Sequence, residues 1–99
     1  MHTEHFSGRT IQGKNSFIQR QIAGSSVLIS VGENIANFNG YIELNDSATF
    51  IWKQILSPIA FEQLVQHFAE EFHLSEAEAE LDVSEFLQEL VLNEMITLL

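Results

Sequence analysis

Tyr41-Ile42-Glu43-Leu44-Asn45-Asp46-Ser47-Ala48-Thr49-Phe50-Ile51-Trp52 changes its apolar period halfway along. The first four residues alternate, the pattern of a half-buried strand with Ile42 and Leu44 inward and Tyr41 and Glu43 outward. From Ala48 the apolar positions Ala48, Ile51, Trp52 and Ile55 recur at helical spacing, and Phe50 and Leu56 widen the stripe. Asn45 stands at the junction as an N-cap, and Asp46 puts negative charge where the helix dipole favours it. A strand passes directly into a helix here, and the chain differs in class on the two sides.

Upstream the patterns are strand-like. Phe17-Ile18-Gln19-Arg20-Gln21-Ile22 reads as a strand with Ile18 and Ile22 on one face and Arg20 between them. Ala23-Gly24-Ser25-Ser26 is a turn. Val27-Leu28-Ile29-Ser30-Val31 is a second strand with Val27, Ile29 and Val31 on one face. Residues 32–40 hold three asparagines and two glycines and read as a loop. Asn39-Gly40 is a strong turn signal within it, because both residue types tolerate positive φ. Residues 1–16 read as a polar, flexible lead-in, broken at Ser7-Gly8 and Gly13-Lys14-Asn15-Ser16. That leaves residues 17–99 as the domain.

Downstream the patterns are helical. Ser57-Pro58 stops the first helix. Phe61, Leu64, Val65, Phe68 and Phe72 form the stripe of a second, which Ala60 leaves without a side-chain cap and His73-Leu74 closes. Ser75 starts a third, with Glu78 placed to complete a capping box. Ala79, Val83, Phe86, Leu87 and Leu90 make its core stripe, and Asn93 ends it. The tail after Asn93 adds a terminal strand or tucks in. Strands followed by helices give an α+β fold: a three-stranded antiparallel sheet and then three helices. The last two helices look like helix-turn-helix, which makes the arrangement winged-helix-like.

Composition narrows function. The chain has 99 residues, no cysteine and one proline, so it builds one core and has neither a disulfide framework nor a thiolate site. A reducing cytoplasm is the default for such a chain. Its longest apolar run is too short for a membrane span, and its first residues lack a signal peptide's pattern. Residues 1–40 carry Arg9, Lys14 and Arg20 against Glu4 and Glu33, while residues 41–99 carry Lys53 against twelve acids. The net charge of −10 lies almost wholly in the second half. Such a surface repels nucleic acid and anionic membranes and fits a basic partner segment, or serves solubility alone.

No reactive constellation stands out. The four histidines and the acids of the last two helices lack metal-ligand spacing, and no nucleophile or phosphate-loop motif accompanies them, so the chain reads as a non-enzyme without cofactor or metal. Two features remain. At ~100° per residue, Leu81 and Leu92 fall opposite Val83 on the third helix, with Gln88 between them. They are either ordinary exposed leucines or a second contact face. The third strand is short and follows a long loop. At a sheet edge its backbone N–H and C=O groups could template an incoming strand, unless its shortness protects it.

The quoted stretch, with its aromatic, a variable pair, Leu-Asn, a turn cluster and Ile-Trp, resembles the signature of the PqqD-like family. Phe61-Glu62-Gln63-Leu64, Glu70-Glu71-Phe72, Leu81-Asp82-Val83, Phe86-Leu87, Leu90 and Met95-Ile96 extend the resemblance over residues 17–97. Ala48 stands where a glycine is common, and Ala60 where a Ser or Thr cap is usual, at about 1 kcal/mol of capping. The resemblance implies a recognition element for ribosomally made, modified peptides. Such an element binds the leader segment of a precursor as an added strand and presents it to a modifying enzyme, commonly a radical-SAM protein. Carried onto this chain, the peptide site is Gly40, Tyr41, Ile42, Glu43 and Leu44 with one wall of the third helix. Leu81, Ser84, Glu85 and Gln88 are one line on that helix; Asp82 and Glu89 flank another. The unexplained Leu81 favours the first. A homodimer by exchange of the first strands is compatible with this reading. The alternative is a winged-helix DNA-binding regulator, against which stands a third helix with no Lys or Arg.

Overall fold

The computed structural model describes residues 5–31 and 41–99. The sequence-predicted loop and the Asn39-Gly40 turn lie outside the described residues. Nine elements follow in chain order: β1 Thr10–Gly13, β2 Phe17–Ile22, β3 Ser25–Ser30, β4 Tyr41–Leu44, α1 Asp46–Gln54, β5 Ile59–Ala60, α2 Phe61–Phe72, α3 Glu76–Leu92 and β6 Ile96–Leu98. The fold is α+β, with three helices and two three-stranded antiparallel sheets among the described residues.

The larger sheet has the order β2-β3-β4. Its hairpin turn is the pair Ala23-Gly24, both at positive φ (52° and 83°), the geometry that matches a two-residue turn to strand twist. Cross-strand register sets Gln19 opposite Leu28 and Ile42, and Gln21 opposite Ser26 and Leu44. Phe17, Leu28 and Leu44 lie on one face and join the core. Val27 and Ile29 do lie on a common face, as their alternation predicts, but it is the other one, shared with Ile18, Arg20 and Tyr41. On the core face Ser26 Oγ accepts from Gln19 Nε2 at 2.8 Å and from Thr49 Oγ1 at 3.0 Å, tying two strands to α1.

The helices cover that face with their apolar stripes. α1 starts where Asn45 Oδ1 accepts from Ala48 N–H at 2.8 Å, and it buries Ala48, Ile51 and Trp52. α2 buries Phe61, Leu64, Val65 and Phe68 and ends at His73 in the left-handed conformation (φ 55°). Phe50 meets Phe68 and Phe72 edge-on, and Phe68 and Phe72 are tilted against each other, with centroids 4.7–6.1 Å apart, joining α1 to α2. α3 carries the full capping box: Glu78 N–H donates to Ser75 Oγ at 3.1 Å and Ser75 N–H to Glu78 Oε1 at 3.2 Å. Its buried residues are Ala79, Val83, Leu87 and Leu90; Phe86, placed in the core stripe from sequence, is only half-buried.

The second sheet corrects the reading of residues 1–16 as a flexible lead-in. Residues 1–4 lie outside the described residues, but Phe6 is buried against Phe61 and Ile11 is wholly buried. β1 is the central strand of the order β5-β1-β6, pairing Ile11 with both Ile59 and Leu98. One isoleucine in a polar stretch was too faint a period to read, and both partner strands come from distant parts of the chain. The same segment compensates for the missing cap on α2. Arg9 C=O accepts from Phe61 N–H at 2.9 Å, and Glu62 in the first turn accepts from Gly8 N–H at 2.9 Å and Ser7 Oγ at 3.2 Å. The terminal residues settle as strand β6.

Candidate peptide-binding cleft

β4 pairs with β3 along one side and, among the described residues, is an edge of its sheet. Beside it opens a cleft of about 650 Å³ bounded by β4, the start of α1 and the middle of α3. The strand-to-helix junction brings these walls together. Glu43 and Leu44 end the strand, the Asn45 cap turns the chain, and Ser47, Ala48 and Ile51 follow on the first turns of α1. From α3 come Asp82, Glu85, Phe86 and Glu89, at i, i+3, i+4 and i+7, which is one helical line.

This rotation of α3 turns part of each line named from sequence toward the cleft: Glu85 of the first, Asp82 and Glu89 of the second. Of the residues named there, Glu43, Leu44 and Glu85 line the cleft. Tyr41 and Ile42 lie on the same edge strand, Tyr41 exposed and Ile42 half-buried beneath it on the core side. Leu81, Ser84 and Gln88 are not among the lining residues, whereas Asp82 and Glu89 of the second line are. Gly40 lies outside the described residues. Phe86 was missed as a lining residue. Its spacing with Val83 and Leu90 fits a core stripe, and its half-burial is the sign that it serves two environments.

The cleft is strongly one-signed. Glu43, Asp82, Glu85 and Glu89 line it, and among the described residues no Lys, Arg or His does. Half-buried Phe86 supplies apolar surface among them, backed by the buried Leu44, Ala48 and Ile51. Carboxylates along walls that are partly apolar focus a negative potential in the groove. Among the described residues no group of three or more His, Asp or Glu side chains is placed to hold a metal ion. Nor, among them, is any helix long and apolar enough to cross a membrane. Two carboxyls elsewhere are held below the usual carboxylate range. The Gly8 amide does this to Glu62, and the Ser75 amide and hydroxyl do it to Glu78, because hydrogen bonds donated to a carboxylate favour its charged form.

An edge strand beside an acidic groove is the kind of surface to which an extended peptide can add as a further strand. The family model described as coenzyme PQQ synthesis protein D (PqqD) matches residues 25–96, and the chain belongs to this family, the recognition elements of ribosomally made, modified peptides. The match begins at the first residue of β3 and contains every element that bounds the cleft. Family members are non-catalytic chaperones that bind precursor peptides and partner with modifying enzymes. Comparison with curated proteins and with solved structures gave no significant match.

Proposed function

We propose that this chain docks the leader segment of a ribosomally made precursor peptide by strand addition to β4, and presents the precursor to a cytoplasmic modifying enzyme of the radical-SAM class. The observation that carries this reading is the position of β4: an edge strand whose end forms a wall of the acidic cleft. Backbone hydrogen bonds from an added strand give affinity with little demand on sequence, and the groove then selects alternate side chains. Phe86, half-buried on the cleft wall, would seat an apolar anchor of the leader. Glu43, Asp82, Glu85 and Glu89 would attract a leader bearing Lys or Arg and speed its encounter.

A proline scan of the leader tests the reading. Each proline removes one N–H donor, so positions whose N–H faces β4 should lose binding and alternate positions should lose less. Unchanged binding at every position of the bound segment overturns strand addition.

A further inference from the structure

α3 has a second outward face that the cleft does not use. Leu81 is 66% exposed and Leu92 75% exposed, the two most exposed large apolar side chains among the described residues. They lie ~20° apart around the helix and about 16 Å apart along it, so they form one ridge. The ridge stands roughly opposite the buried line of Val83, Leu87 and Leu90 and about 90° from the cleft line. Glu85 is the cleft-lining residue nearest the ridge. α3 carries Glu76, Glu78, Glu80, Asp82, Glu85 and Glu89 and no basic residue.

That charge decides what covers the leucines. Two copies of α3 packed on each other would set six carboxylates against six, so a second copy is disfavoured. A partner surface with two apolar recesses and basic side chains around them satisfies both features at once. We propose that the Leu81–Leu92 ridge is the docking surface for the modifying enzyme, which meets it through such a basic surface. The proposal rests on the peptide-presenting reading and adds to it the face by which the enzyme is held. One helix then serves two partners. Its cleft line holds the leader, and a quarter turn away its ridge holds the enzyme, so the bound precursor emerges beside its catalyst.

The test places a photo-crosslinking amino acid at position 81 or 92 of the full chain in the cells that produce it. The captured protein is identified, purified and titrated against wild type and against the L81S/L92S double variant. The expected capture is a peptide-modifying enzyme whose affinity falls at least tenfold in the double variant and also falls with added salt. Leader affinity and the helical circular dichroism of the variant should stay at wild-type values. Capture of a second copy of this chain, capture of a protein of another class, no capture, or equal affinity for wild type and double variant each overturns the proposal. Leader binding to the wild type is measured in the same series. Its absence would defeat the peptide-presenting reading itself, whatever the crosslinks show.

Discussion

Gly13 lies so close to the indole of Trp52 that a Cβ there would fall 2.9 Å from Cη2 and 3.1 Å from Cζ3. The ring cannot yield easily, because Trp52 is 1% exposed and packed from all sides by the core. Gly13 is also fixed along its backbone: its N–H donates to Ile55 C=O at 2.8 Å, and its strand pairs it with Ile96. Gly13→Ala should therefore destabilise the fold by about 1–3 kcal/mol through overpacking. Thermal unfolding should report a midpoint lowered by ~4–8 °C per kcal/mol. An unchanged midpoint would mean that the strand can move off the ring.

The sequence showed Gly13 as a breaker, and that contrast marks what was legible. Features set by near neighbours were readable: the Asn45 cap, the Ser75–Glu78 box and the uncapped Ala60. The stop assigned to Ser57-Pro58 was not: α1 ends at Gln54, with Ile55 as its C-cap, and Leu56, placed in the stripe, is exposed beyond the helix. Features set by distant partners were not readable. β5 has two residues and β6 three, too few for a period, and β1 acquires meaning only between them. The cleft divides in the same way. Its strand wall was legible because the alternation from Tyr41 to Leu44 fixes which side chains face the core. Its helix wall depended on how α3 is rotated against the sheet. Leu81 looked unexplained in one dimension, and in three it lies off the groove.

Ala23 occupies a left-handed conformation at φ 52°, which costs a residue with a Cβ about 1–2 kcal/mol and costs Asn or Gly less. Ala23→Asn should stabilise the β2–β3 hairpin by about 0.5–1 kcal/mol, with Asn-Gly then in the turn geometry it prefers. Chemical denaturation should show a higher midpoint with an unchanged slope. A lower midpoint would mean that the Ala23 methyl makes a contact worth more than the backbone relief.

Glu62 and Glu78 predict a pH dependence. Both carboxyls have folded-state pKa values below their unfolded values. Their stabilisation is therefore present above the unfolded carboxylate pKa and is lost as pH falls through the lowered folded values. Glu62→Gln and Glu78→Gln should each be less stable than wild type near neutral pH. The gap should close on acidification below about pH 4. Glu62→Gln should also speed hydrogen exchange at the Gly8 amide, whose acceptor it weakens. A gap that persists in acid would assign the loss to packing rather than charge.

The cleft's charge can be separated from its shape. Glu85 and Glu89 line the groove but are exposed, so reversing them should leave the fold intact. Glu85→Lys/Glu89→Lys should slow association with a basic leader by about tenfold at low salt, and the difference from wild type should shrink as salt screens the groove. Phe86→Ala acts on the other term. It removes half-buried apolar surface from the floor, so the complex should dissociate faster with little change in its salt dependence. Stopped-flow fluorescence with a labelled leader separates the two effects, because charge reversal should act on the association rate and truncation on the dissociation rate. If both variants change only dissociation, the carboxylates make short-range contacts with the peptide, and long-range steering plays no part.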